Sequence, residues 1–400
     1  MKKIIALVLV MMLTLCACSN SGSNTNNTNN TEKKTMKAGF ILLHDENSTY
    51  DLNFINAAKE ACDKLGVQYV LKTNIPEGQE CYEAAAELAD AGCDFVFADS
   101  FGHEDYMIEA AKEYPNVQFL HATGTKAHTE NLSNYHNSFA TIYEGRYLAG
   151  IAAGMKLNEM IAEGKITEEQ CKIGYVGAYT YAEVISGYTS FYLGARSVCP
   201  TATMEVTFTG SWYDETAEKE AANNLIKDGC VLLSQHADSM GAPTACETAG
   251  VPNVSYNGST ANACPNTFIV SSRINWAPYF EYVINSIKNG TEIATDWTGD
   301  ISTGSVVLTD LGSSAAKGTK EAIDEASKAL VAGTLHVFDT TTFTKDGAAV
   351  TSYMADVDTD ANYEGDHEVI VNGYFDESGK DFRSAPFLDI QIDGITLLHT

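Results

Sequence analysis

The chain has 400 residues, 44% of them hydrophobic, with 53 acidic against 25 basic side chains and a formal net charge of −28. That balance argues against a nucleic-acid partner, which needs clustered cations, and against adhesion to anionic lipid by charge. It leaves a globular chain long enough for two lobes, with an acidic, solubilising surface.

Met1-Lys2-Lys3 opens the chain, an apolar run covers 4–15, and Leu15-Cys16-Ala17-Cys18 closes it. A basic start, a short apolar run and small residues before a cleavage point make a secretory signal; the run is too short for a permanent membrane span. Leu15 and Ala17 before Cys18 resemble the lipobox of bacterial lipoproteins. Acylation of Cys18 would tether the mature chain to the outer face of the membrane. Residues 1–17 are read as signal peptide, and 18–37 as lipidated cysteine and flexible tether. The Ser/Asn/Gly/Thr/Lys-rich stretch after Cys18 has too little apolar surface to order itself.

From 38 onward strands and helices alternate. A buried-strand run covers 38–43. Asp51 is placed to cap a helix whose residues Ile55, Ala58, Cys62 and Leu65 share one face and which Gly66 ends. Strand 67–71, helix 79–91, strand 94–98, helix 104–114 and strand 117–121 follow, a series that predicts a parallel sheet with right-handed crossovers. Helix 143–157, whose Gly145, Gly150 and Gly154 permit close packing on a neighbour, opens a second series. It continues with strand 172–176, helix 183–195, strand 204–208, helix 215–227 between Asp214 and Gly229, strand 230–234, helix 242–249 and strand 254–256. Next come strand 268–271, helix 276–288, strand 306–308, helix 317–331 and strand 333–338. Looser Thr/Asp/Gly-rich segments with strands at 368–371 and 388–392 end the chain. The expected division is a first lobe of 38–138 plus about 257–300, a second of 139–256 plus about 301–345, and an extension, 346–400, packed on the lobes.

Cys62, Cys81, Cys93, Cys171, Cys199, Cys230, Cys246 and Cys264 form no C-x-x-C pair, which excludes zinc-ribbon and thioredoxin sites. Their even number leaves disulfides open, while buried thiols would act as small hydrophobes.

In open α/β sheets the ligand sits beyond the carboxyl ends of the strands. The loops there are 44–51, 99–103, 177–182, 209–214, 235–239 and 257–259, all rich in aromatic and short polar residues. That combination suits a planar heterocycle with polar edges, or a sugar ring. H-E-x-x-H, G-x-S-x-G, P-loop and G-x-G-x-x-G patterns are absent from the sequence. His44-Asp45-Glu46 could start a metal or acid–base cluster, the basis of a hydrolase alternative, but a solvated polar loop is the simpler reading. No catalytic residue, cofactor or metal is expected.

These loops carry a resemblance. Gly39-Phe40-Ile41, His121-Ala122-Thr123-Gly124 and Tyr143-Glu144-Gly145-Arg146-Tyr147-Leu148-Ala149-Gly150 begin it. Phe191, Leu193-Gly194-Ala195-Arg196, Pro200, Gly210-Ser211-Trp212-Tyr213-Asp214, Gln235-His236-Ala237-Asp238-Ser239 and Asn275-Trp276-Ala277-Pro278-Tyr279 complete it. In this order and spacing, over about 38–345, they resemble the basic membrane protein family of substrate-binding lipoproteins that feed ABC importers. The resemblance agrees with the two-lobe reading. It implies an α/β fold with two Rossmann-like lobes, their parallel sheets joined by a hinge, of the type I periplasmic-binding-protein kind. It implies a purine nucleoside or base held between the lobes, an ABC permease as partner, and a place on the extracytoplasmic face. Tyr50 and Asp51 look like the family's stacking aromatic and the polar residue after it. Trp212 matches the opposing aromatic, Ser100 and Phe101 the third-strand loop, Asp238 a polar loop, and Trp276 an aromatic of one branch. Asn257 stands where relatives often carry an acidic residue for ribose hydroxyls, which leaves room for a free base or another ring. Ala182 replaces a frequent Pro, so the turn holding Tyr181 differs; Glu183 follows it, where a helix start favours a carboxylate. A sensor that signals to a membrane partner would use the same two-lobe closure.

Overall fold

Short apolar runs alternate with amphipathic helices, and in the computed structural model they build two parallel sheets. The structure describes residues 35–357, 365, 367–377 and 382–398. The expected signal peptide, the lipidation at Cys18 and most of the tether lie outside these residues.

The first series is β1 (Lys37–Ile41), α1 (Thr49–Leu65), β2 (Gln68–Lys72), α2 (Gln79–Asp90), β3 (Phe95–Ala98), α3 (Glu104–Glu113), β4 (Gln118–Ala122), the short α4 (Ala127–Glu130) and β5 (Tyr135–Ala140). The second is α5 (Ile142–Ala162), β6 (Lys172–Gly177), α6 (Ala182–Val198), β7 (Thr203–Phe208), α7 (Glu215–Lys227), β8 (Leu232–His236), α8 (Gly241–Ala249), β9 (Asn253–Tyr256) and β10 (Phe268–Ile274). Then come α9 (Ala277–Asn289), β11 (Asp296–Gly299), β12 (Val306–Leu308) and α10 (Thr319–Val331).

The first sheet has the order β11-β5-β4-β3-β1-β2, with parallel neighbours throughout. The second has the order β12-β10-β9-β8-β6-β7 followed by strand Ile395–Leu397; only the β10–β12 pair is antiparallel. The expected segment 257–300 is therefore divided. β10 pairs with β9 in the second sheet, whereas α9 buries Phe280 and Val283 against Phe40 and Phe54 in the first-lobe core, and β11 flanks β5. The chain thus passes between the sheets after β5, after β10 and after β11.

Burial explains the other departures. β5 reads as polar, Tyr-His-Asn-Ser, but it is buried throughout, with Asn137 donating to Glu104 Oε1 at 3.2 Å. Residues 333–338 form turns rather than a strand, with Val337 and Phe338 as isolated anchors in the second-lobe core. In 388–392 the alternating Leu388, Ile390 and Ile392 are buried in that core without pairing; Ile395–Leu397 takes the edge beside β7 instead. The expected strand at 368–371 splits into His367–Glu368 and Ile370–Val371, each paired with a different short segment.

α5 and α6 are in backbone contact. A Cβ on Gly150 would lie 2.0 Å from Phe191 O, and one on Gly194 would lie 2.0 Å from Tyr147 O, so both positions exclude any side chain. The eight described cysteines are buried and form no disulfide among the described residues. Among the described residues no helix is long and apolar enough to cross a membrane.

Candidate functional site

Between the carboxyl ends of the two sheets lies a narrow crevice. Its first wall is built by α1 and the β1 and β3 loops. Ser48, not Asp51, caps α1: its Oγ accepts from Asp51 N at 3.2 Å. Asp51 is fully buried within the first turn, where it accepts from His44 N at 2.7 Å and Ser48 Oγ at 2.5 Å. Burial raises its pKa, but these hydrogen bonds and His44 outweigh burial and leave it lowered. Asp99, also fully buried, accepts from Leu43 N at 3.1 Å. Burial and the neighbouring Asp51 charge push its pKa well above the carboxylate range. The pair therefore pins the two loops and faces inward. Tyr50 is fixed by donation to Asp99 O at 2.7 Å and by edge-on contact with Phe54. Ser100 donates to Glu77 Oε1 at 2.5 Å.

The second wall carries its carboxylates differently. Asp238, in the loop after β8, has its N–H on Trp212 O at 3.0 Å, and its Oδ1 receives Asn257 Nδ2 at 3.4 Å. Burial, then the charges of Asp51, Glu218 and Glu183, raise its pKa well above the ordinary range. Its surroundings thus disfavour a charge at this position. Glu183, at the start of α6, lies 3.4 Å from His236 Nε2, and His236 Nδ1 lies 3.4 Å from Tyr175 OH. Burial lowers the His236 pKa, so its imidazole is neutral. Behind it Arg146 is fully buried, donating to Tyr175 OH at 2.9 Å and Ser234 Oγ at 3.0 Å, with Phe191 and Tyr256 rings 4.9 Å from its guanidinium. This cation stiffens the floor and does not line the crevice.

Two lining residues sit in the left-handed region at strand ends, Thr123 with φ 68° and Asn257 with φ 65°. For β-branched Thr123 that backbone is strained, and strain of this kind gathers at binding sites. The lobes touch around the crevice: Thr49 N donates to Asp238 O at 3.0 Å, Asn53 Nδ2 to Asn257 Oδ1 at 3.4 Å, and Phe101 packs on Tyr181 at 5.3 Å. The chain is in a closed form.

Of the residues singled out in the sequence, Tyr50, Ser100, Phe101, Glu183, Trp212, Asp238 and Asn257 line the crevice. Three do not. Asp51 lies beneath it for the reason given. Tyr181, 44% exposed, lines instead an adjoining pocket that shares Phe101, Thr123, Glu183 and Trp212 with the crevice, and it stacks on Tyr179 at 5.2 Å. Trp276 is 1% exposed in the first-lobe core, stacked on Phe54 at 4.6 Å, because the turn into α9 drops it under α1. Sequence reasoning did not single out Leu43, Thr123, His236 and Tyr256, which also line the crevice. His236 and Tyr256 end β8 and β9, and their position at strand ends was the available signal. His44, weighed there for metal or acid–base chemistry, lines the crevice with its ring 5.4 Å from Tyr213.

Residues 41–335 match the family described as ABC transporter substrate-binding protein, PnrA-like. A purine-binding protein of Brucella abortus is 32% identical over 264 residues, 65% of this chain and 71% of that protein. A Haloferax volcanii protein named as an ABC transporter glucose-binding protein is 31% identical over 282 residues, 70% of this chain and 68% of that one. Among solved structures, an ABC transporter solute-binding protein of Aeropyrum pernix aligns with TM-score 0.64 at 16% identity, covering 76% of this chain and 93% of that one. One from Conexibacter woesei aligns with TM-score 0.60 at 20% identity, covering 76% and 98%. These two establish the fold, that of the solute-binding proteins.

Proposed function

The chain belongs to the PnrA-like family of ABC-transporter substrate-binding proteins, and from that premise we propose that its ligand is a purine base or nucleoside clasped between the lobes. The carrying observation is the pairing of Tyr50 and Phe101 on one wall with Trp212 and Tyr256 on the other, around the buried carboxyl of Asp238 and the amide of Asn257. Aromatic faces bury the two sides of a flat ring. An acid, an amide and the hydroxyls of Ser100 and Thr123 read the ring nitrogens and exocyclic groups at its edge. The purine-binding Brucella relative supports this choice.

Binding works by differential affinity. A ring that touches both walls strengthens the closed form, which Thr49, Asn53 and Phe101 already hold by contacts across the crevice, and an importer's permease would read that closed form. No bond of the ligand is made or broken, so the protein acts as a carrier and not as an enzyme, and it uses no cofactor. The sequence around Cys18 supports a lipid anchor on the extracytoplasmic face; a Cys18→Ser chain released from membranes into the medium is the expected result.

Thermal unfolding in the presence of purine bases, nucleosides and glucose tests the ligand, since a ligand that binds only the native state raises the midpoint. A rise with purines and none with glucose is expected. The glucose-binding relative makes the sugar the second reading, and a rise with glucose alone would replace the first.

A further inference from the structure

The chain continues past residue 335, where the family match ends, and this extension is built into the molecule. Phe375, Phe387, Leu388 and Ile390 are buried in the same core as α5 and α6. Tyr188 OH donates to Gln391 Oε1 at 2.6 Å, and Ile395–Leu397 lengthens the second sheet beside β7. The extension walls two hollows. One is the pocket adjoining the crevice, which it reaches through Arg383 and Phe387. The other is a cavity of about 160 Å³ against the first turn of α5 and the end of α10, and it shares no lining residue with the crevice. Phe375 N donates to Phe338 O at 3.0 Å and Thr340 N to Gly373 O at 2.9 Å, which lays 373–377 along this second cavity.

We propose that this second cavity is a separate binding site, and that it takes a small protonated amine carried on a short apolar stem. Glu144, Asp376 and Glu377 bring three carboxyl groups to it, and no lysine or arginine is among its lining residues. Glu377 is 5% exposed; its Oε1 accepts from Phe387 N at 3.3 Å and from Leu388 N at 3.4 Å. Its Oε2 is buried and finds no hydrogen-bond partner among the described residues. A buried acceptor left in this way costs free energy that a donor entering the cavity would recover. Burial pushes the Glu377 pKa up to about 8 against its hydrogen bonds and the charge of Arg383, a guanidinium already held by Asp356 Oδ2 at 3.0 Å. Burial also raises the pKa of Glu144, whose Oε2 accepts from Thr141 Oγ1 at 2.6 Å. The cavity thus gathers acceptors and lacks a counter-charge, and an ammonium group supplies both the charge and N–H donors. Its other lining is aromatic: Tyr374 stacks on His336 with ring centroids 3.7 Å apart, and Tyr143 packs on Phe338 at 5.2 Å. Such rings favour a cation at their faces and give an alkyl stem apolar contact. The volume is about that of a cavity that holds one benzene, which limits the guest to roughly six heavy atoms. A carboxylate or phosphate on the guest would meet like charges, a cost that selects against amino acids and nucleotides. The site is independent of what the crevice binds.

Calorimetric titration of the full chain at neutral pH with isobutylammonium chloride tests this, set against isobutanol, which lacks the charge, and valine, which adds a carboxylate to the same amine. The amine, protonated at this pH as a lysine side chain is, is expected to bind with a Kd below about 1 mM, and each analogue at least about tenfold more weakly. Glu377→Gln and Asp376→Asn are each expected to weaken the amine at least about fivefold; if one variant fails to fold, the other decides. No binding of the amine at about 10 mM, isobutanol or valine bound as tightly as the amine, or an unchanged affinity in the folded variants would overturn the site. Binding of the amine that is lost on Trp212→Ala and kept in both acid variants would overturn it too, because it would place the amine in the crevice.

Discussion

The two walls of the crevice use the same residue type for opposite purposes. On the first lobe the carboxylates Asp51 and Asp99 turn inward and hold the loops of β1 and β3 by backbone hydrogen bonds. On the second lobe Asp238 and Glu183 face the crevice, and hydrogen bonds from Asn257 and contact with His236 orient them. The first wall is thus an aromatic plate on an internal hydrogen-bonded clamp, and the second turns its carboxyl groups toward the crevice. Position after a strand end does not distinguish the two. What distinguishes them is that backbone N–H groups at the end of β1 and in the loop after it, His44 N for Asp51 and Leu43 N for Asp99, hold the first-wall carboxyl groups.

That contrast can be broken by substitution. Trp276→Ala, in the first-lobe core and away from the crevice, is expected to lower stability by about 3–5 kcal/mol in urea unfolding, as for other buried aromatics. The protein that remains folded should keep its ligand affinity, and a selective loss of affinity would return Trp276 to the site. Asp51→Ala leaves His44 N and Ser48 Oγ without their acceptor and is expected to cost about 2–3 kcal/mol of stability. An unchanged unfolding midpoint with weakened binding would show instead that the first wall also reads ligand.

Glu218 in α7 sharpens the account of the second wall, because it accepts from Ser239 N at 3.3 Å and so supports the Asp238 loop. Burial raises its pKa to about 7 from an ordinary 4.5. A carboxyl whose folded pKa is raised contributes its stability below the unfolded value and loses it as pH rises through the folded one. Glu218→Gln should therefore match the parent chain near pH 4 and exceed it by about 2–3 kcal/mol at pH 8. A difference that is constant with pH would contradict the raised pKa. Trp212→Ala removes a crevice ring with little core burial, and is expected to weaken purine binding about tenfold, or 1.4 kcal/mol, with a smaller change in stability. Asp238→Asn should have the smallest effect, about threefold in affinity, because the surroundings of Asp238 disfavour its charge and an amide keeps a polar donor and acceptor at the same place. A loss of about a hundredfold would mean that Asp238 binds as a carboxylate.

Much of the molecule was legible in its sequence. The period-two and helical patterns place most elements within a few residues, Gly66 ends α1 in the left-handed conformation as read, and Asp214 caps α7 by accepting from Ala217 N. The close approach permitted by Gly150 is realised against α6. The strand-end loops led to seven lining residues of the crevice. What escaped was long-range. β5 could not be read as a strand because its polar side chains find partners only after folding. Trp276 looked like a ligand-facing aromatic, since nothing local reveals that α1 covers it. The edge beside β7 is Ile395–Leu397 and not 388–392, because Leu388, Ile390 and Ile392 are buried in the second-lobe core.

The sequence by itself determined that the chain alternates strand and helix in two series, which loops stand beyond the strand ends, and that these loops are aromatic and acidic. Those properties are local: they depend on side-chain period, caps and residue type. Only the tertiary structure decided which carboxylates face the crevice, that β10 belongs to the second sheet, and that the extension walls a chamber beside the crevice. Each of these depends on residues far apart in the chain meeting across a lobe boundary or competing for the same hydrogen-bond donors, and no local pattern encodes the outcome of that competition.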